Sequence, residues 1–131
     1  MPYSATTRGI TVRVEPIYLD LHSSPSDSRY IWAYRIVIEN KGTETVQLRS
    51  RHWRIMNSQG SVNEVKGQGV VGEQPVLKPG ESFEYSSNAP LNTPSGLMTG
   101  TYQMQTESGE IFNVEIPSFS LDSPHHTTFV Q

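Results

Sequence analysis

Cysteine is absent from the 131 residues. That removes disulfides, thiolate metal sites and cysteine nucleophiles from consideration. No apolar run approaches the roughly 20 residues a membrane-spanning helix needs. No membrane partner is expected. The opening residues, Met1-Pro2-Tyr3-Ser4-Ala5-Thr6-Thr7-Arg8, lack the apolar core of a signal peptide, so a cytoplasmic location is the expectation. A large excess of positive charge is also lacking. The net charge is −3, which argues against generic nucleic-acid binding. No segment carries a helical period, and there are no internal repeats. The length suits one domain over residues 1–131, with frayed tails expected at 1–8 and 120–131.

What charge there is lies unevenly. Residues 1–66 hold nine of the ten Lys and Arg with six acids; residues 67–131 hold one Lys with seven acids. Interleaving strands would mix the two halves. A dipolar surface for an anionic partner is the alternative.

Period-two alternation recurs along the chain, the mark of half-buried strands. It predicts strands over residues 10–15 (extendable to Tyr18), 32–39, 45–55, 61–65, 82–87, 100–105 and 111–119. In the third, Val46 and Leu48 are even while Trp53 and Ile55 are odd. A β-bulge near Arg51-His52 would bring all four onto one face. It would also set Arg49, Arg51 and Arg54 together on the outside. Residues 88–100, with two prolines and two glycines, read as a long loop. The count points to an all-β fold, an immunoglobulin-like or fibronectin type III-like sandwich of about seven antiparallel strands. Trp32 and Trp53 are candidate anchors between the sheets. Tyr102 sits where such folds bond a tyrosine hydroxyl back to the preceding corner, and Met104 takes a core position.

Gly67-Gln68-Gly69-Val70-Val71-Gly72 spells GxGxxG. In dinucleotide folds that string leaves a strand and opens a helix whose N-terminus holds a pyrophosphate. Pro75 and Pro79 follow here and exclude a helix interior. Two readings stay open. Successive N–H groups could form an anion-binding nest, with Arg49, Arg51, Arg54 and Lys66 adding charge. Alternatively the glycines make a tight connection between strands, with Val70 and Val71 packing inward.

Other chemistry is thin. His22, His52, His125 and His126 read as solvated side chains. The carboxylates Glu39, Glu64, Glu73, Glu81 and Glu84 are scattered singly, and neither a G-x-S-x-G elbow nor a His-Glu-x-x-His motif occurs. No catalytic residue, metal ligand or cofactor is assigned. Leu91, Leu97 and Met98 either cap the core or project as an apolar binding surface.

The run from Gly67 to Glu81, with Tyr34-Arg35-Ile36-Val37-Ile38-Glu39-Asn40, Arg51-His52-Trp53 and Phe83-Glu84-Tyr85-Ser86-Ser87, resembles the ApaG family over residues 8–125. The resemblance implies a bacterial cytoplasmic protein with a fibronectin type III-like sandwich. It implies a link with cobalt resistance and magnesium efflux, and genes often found beside a diadenosine-tetraphosphate hydrolase. Similar domains occur in eukaryotic F-box proteins and in a protein that binds a DNA polymerase subunit. The family's proposed pyrophosphate motif maps onto Gly67, Gly69 and Gly72.

The expected function is therefore a non-enzymatic binding or regulatory module for another protein, using a sheet edge or the segment around Leu97. The alternative is a phosphate-, pyrophosphate- or nucleotide-binding module built on the glycine loop. A two-fold homodimer is the expectation for any self-association.

Overall fold

The structure, a computed structural model, describes residues 3–125. It contains nine strands: β1 (Tyr3–Thr7), β2 (Ile10–Tyr18), β3 (Tyr30–Asn40), β4 (Val46–Asn57), β5 (Val62–Gln68), β6 (Val76–Leu77), β7 (Ser82–Leu91), β8 (Ser95–Thr106) and β9 (Ile111–Asp122). Two short 3₁₀ turns, Asp20–His22 and Pro25–Asp27, fill the β2–β3 connection. All strand pairs are antiparallel. The first sheet has the order β1-β2-β3-β7; the second has β5-β4-β8-β9, with β6 also on β4. This is the expected β-sandwich, with two more strands than the sequence pattern showed.

Alternation builds the core. Tyr30, Trp32, Tyr34, Ile36 and Ile38 of β3 are buried, opposite Val12 and Val14 of β2. From the second sheet come Leu48, Trp53, Met98, Tyr102, Met104, Val114, Ile116, Phe119 and Leu121. Fully burying an aliphatic or aromatic side chain of this size stabilises by roughly 1.5–3 kcal/mol. Trp53 crosses to Tyr34 of the first sheet at a ring separation of 5.4 Å. Met104 is fully buried, as expected.

Four expectations are corrected. First, neither end of the described chain is frayed. Thr7-Arg8-Gly9-Ile10 makes a two-residue hairpin turn with φ 48° at Arg8 and 80° at Gly9. That turn folds β1 back onto β2, and Thr6 Oγ1 meets Thr11 Oγ1 at 2.8 Å. At the other end, β9 runs on to Asp122 with Leu121 fully buried. His126 and the rest of 126–131 lie outside the described residues.

Second, residues 88–100 are not a long loop. β7 continues to Leu91 and β8 starts at Ser95. Thr93 Oγ1 closes the short connection, accepting from Ser58 N at 3.1 Å and donating to Ser95 O at 2.8 Å. Leu91 and Met98 are buried in the core.

Third, the β4 bulge lies between Leu48 and Ser50, not near Arg51-His52. Arg51 consequently falls in phase with Trp53 and opposite Tyr102, on the side facing the other sheet. Fourth, Tyr102 is mid-strand, and its hydroxyl meets Tyr85 Oη of the opposite sheet at 2.5 Å instead of a corner backbone group.

The two sides of the sandwich differ. On one, β9 packs against β1 and β2. There Glu115 N donates to Thr7 Oγ1 at 3.1 Å, and Tyr3 packs near Phe119. On the other, β7 and β5 are the outermost strands of their sheets.

Candidate functional site: the glycine loop and its arginines

The glycine loop begins inside β5. Gly67 and Gln68 are paired with Arg51 and Ser50 of β4. Gly69 N then donates to Arg49 O at 2.9 Å. Val70 and Glu73 exchange two bonds, Val70 N to Glu73 O at 2.8 Å and Glu73 N to Val70 O at 2.9 Å. Between them Val71 and Gly72 have φ of 44° and 82°. Positive φ at both central positions is the signature of a type I′ turn. The Val70 side chain is fully buried, whereas Val71 is 57% exposed.

Each glycine of the motif has a separate structural reason. A Cβ on Gly67 would stand 2.8 Å from Arg51 Nη1. One on Gly69 would stand 2.3 Å from Glu73 O, at a φ of 64°. Gly72 faces open space, and only its φ favours glycine. The amides of Gly69, Val70 and Glu73 are all bonded within the chain. At the corner itself, Val71 and Gly72 donate no backbone bond among the described residues.

The three arginines do not converge on the loop. Arg51 Nη1 donates to Gln68 O at 3.1 Å and Gly69 O at 2.9 Å, so it clamps the loop through its carbonyls. Arg49 Nη1 turns to Gln47 Oε1 at 3.2 Å. Arg54 is exposed, with Nε 3.7 Å from Glu64 Oε1. The expectation that all three share the outer face is thus corrected by the position of the bulge.

Behind the loop the interior is polar. Burial pushes the Tyr34, Tyr85 and Tyr102 phenols above their ordinary range, and the positive charge of Arg51 only partly opposes this. Three protonated phenols stabilise a fold but supply no base at neutral pH.

The histidines are dispersed. His22 is exposed in the first 3₁₀ turn. His52 Nε2 lies 3.3 Å from Glu64 Oε1. His125 is exposed, as expected of a solvated histidine, with its ring 6.1 Å from that of Tyr18 and 6.2 Å from that of Tyr30. Among the described residues, no group of three or more His, Asp or Glu side chains is placed to hold a metal ion. Sequence reasoning missed the outer face of β4, β5, β8 and β9, where Lys66, His52, Thr101, Gln103 and Asn113 line one cleft. Cross-strand register, which the sequence does not display, brings them together.

Similarity to known proteins agrees with the fold. Residues 20–106 match the ApaG domain family model. The chain is 62% identical to Protein ApaG of Rhodospirillum centenum over 123 residues, covering 94% of this chain and 95% of that protein. It is 61% identical to Protein ApaG of Paramagnetospirillum magneticum, with the same coverage. A crystal structure from Bordetella pertussis bearing the name ApaA superposes with a TM-score of 0.86 at 47% identity, covering 89% of this chain and 95% of that one. The chain belongs to the ApaG family.

Proposed function

We propose that this chain is a non-enzymatic binding module that recognises another protein by accepting an extended segment along the edge of β7. The observation that carries the reading is the asymmetry of the sandwich. The β1 and β9 side is packed shut, while among the described residues β7 pairs with β3 alone. An edge strand with an unpaired side is a template for a further strand, and main-chain bonds supply the affinity.

β7 suits this better than β5. It is ten residues long and carries one charged residue, Glu84. β5 has seven residues, including Glu64, Lys66 and Gly67. Charges and glycine on an edge discourage pairing. A second copy docked β7 to β7 would be the homotypic form of the same mode. We attach the implied link with cobalt and magnesium handling to the partner.

The test is capture of partners by the purified chain, repeated with Ser86→Lys/Asn88→Lys. Both residues are exposed on β7, so folding should survive. The reading expects bound protein to be lost while the melting temperature holds. Full retention by the double variant would remove β7 as the docking edge. Specific turnover of a phosphate compound with no captured partner would remove the module reading.

A further inference from the structure

The open side of the sandwich is a seam between β5 and β7, the outermost strands of the two sheets. Register shows which side chains turn into it. Arg51, Trp53 and Ile55 of β4 stand opposite Gly67, Val65 and Asn63 of β5. Directly opposed residues share a face of the sheet, and buried Trp53 marks that face as the inner one. On β7 the inward positions are Phe83, Tyr85, Ser87, Ala89 and Leu91, paired with the buried side of β3. None of these inward positions on β5 or β7 is acidic.

Two unmet groups lie in the seam. The first is the guanidinium of Arg51. It stands over Gly67, where a Cβ would come within 2.8 Å of Nη1, so it reaches the outermost strand. Its charge acts on the Tyr34, Tyr85 and Tyr102 phenols, which places it between the sheets. Nη1 donates to the neutral carbonyls of Gln68 and Gly69. No carboxylate lies within ion-pair distance of Arg51 among the described residues.

The second is Trp53 Nε1, a buried donor without a partner on a side chain only 2% exposed. A Cβ on Gly100 of β8 would meet Trp53 Cε3 at 2.9 Å. That edge of the indole lies over β8. The opposite edge, which bears Nε1, is therefore turned toward β5 and the seam. Buried donors are ordinarily satisfied, so this one calls for an acceptor.

Four residues along β4 the seam changes character. Ile55 lines a cavity of about 270 Å³ with Asn57, Val62, Asn63, Pro90 and Leu91. An extended chain shows the same face every second residue, and four residues span about 13 Å. A strand laid along β7 therefore brings side chains four apart over Arg51 and over Ile55.

A carboxylate suits the first place. One negative charge balances one guanidinium, and its two oxygens can accept from Arg51 and Trp53 together. An aliphatic side chain suits the second. We infer that the segment accepted by β7 turns into the seam an aspartate or glutamate over Arg51 and Trp53, and an aliphatic residue four positions away over Ile55. This rests on the β7 reading and names the chemistry of its partner.

The probe is a capped peptide, Thr-Glu-Thr-Thr-Thr-Leu-Thr-Thr-Thr-Glu-Thr, whose pattern is the same in either direction along β7. It is compared with the form carrying Gln for both Glu, by titration into isotopically labelled protein at low salt. Saturable shifts are expected at the Ser86 and Asn88 amides and at the Trp53 indole N–H. The Glu form should bind about tenfold tighter, the effect of one charge-assisted contact. Added salt should narrow that difference. Arg51→Gln keeps an amide donor beside the loop carbonyls and should abolish it. The peptide comparison on the unsubstituted chain decides the matter should that variant fold poorly. Equal affinity of the two forms, with the Trp53 indole unmoved, overturns the inference and leaves β7 an edge indifferent to charge. Shifts at the Trp53 indole without shifts at Ser86 or Asn88 remove β7 as the docking edge, and the inference with it. No saturable shift with the Glu form overturns the inference alone, since partner capture still judges β7 by itself.

Discussion

Arg51 and Gly67 face each other across β4 and β5, and the guanidinium of Arg51 occupies the space a Gly67 side chain would need. The first glycine of GxGxxG is therefore a seat for an arginine of the same molecule. The other two glycines serve a close backbone approach and a left-handed turn position. The motif is accounted for by the fold, position by position.

Alanine substitutions at the three glycines should separate these roles. Gly72→Ala meets only the left-handed penalty, about 1–2 kcal/mol. Gly67→Ala forces the Arg51 head group aside and weakens two hydrogen bonds, about 1–2 kcal/mol. Gly69→Ala combines positive φ with a contact of 2.3 Å to backbone, and should cost most, about 3 kcal/mol or more. Urea denaturation of the three variants checks the order. Equal midpoints would contradict it.

Val71 is β-branched and held at φ 44°, where Asn and Gly are favoured. Val71→Asn should raise stability by about 0.5–1 kcal/mol. A thermal melt reads this directly. A drop in melting temperature would mean that exposed Val71 makes contacts beyond the turn.

The tyrosine cluster sets an alkaline limit. Burial raises the Tyr34, Tyr85 and Tyr102 phenols above the ordinary value of 10.0. A raised folded value means the folded state holds its protons more tightly. The stabilisation is complete below pH 10 and falls as pH rises beyond it, once unfolded tyrosines ionise. Denaturation midpoints should decline above about pH 10. Tyr102→Phe should make that decline shallower. At neutral pH the same change strands the Tyr85 hydroxyl and should cost about 1–3 kcal/mol. A decline unchanged in Tyr102→Phe would show that Tyr102 does not contribute to it.

Gly9 and Gly60 offer a matched pair. Both have positive φ, but a Cβ on Gly9 would lie 2.7 Å from Gly42 Cα, while Gly60 faces open space. Gly60→Ala should cost about 1 kcal/mol. Gly9→Ala should cost at least about 2 kcal/mol more, because two backbones must separate. Similar losses in both would show that the β1–β2 and β3–β4 turns part easily.

The sandwich was legible because period two runs unbroken through β3 and β7 and holds on either side of the bulges in β4 and β8. Residues 49–51 show why detail was lost. Arg-Ser-Arg is polar in either phase, so the pattern admits a bulge anywhere within it, and a shift of two residues reverses Arg51. Residues 88–100 misled for another reason. Pro90 sits on an edge strand, which tolerates proline. Gly96 and Gly100 are there because a Cβ would lie 2.5 Å from Met56 O and 2.6 Å from His52 O. These are demands of strand proximity, invisible along one segment. The outer cleft was illegible for the same reason, since its residues come from four strands.

The packed β1–β9 seam also dictates how the molecule should be held. The first described strand and the last lie together on one side, while β7 is three strands away from β1, about 14 Å at ordinary strand spacing. A tag or tether at the first or last described strand therefore anchors the sandwich by its closed side. Immobilised that way, the molecule presents β7 outward to whatever flows past.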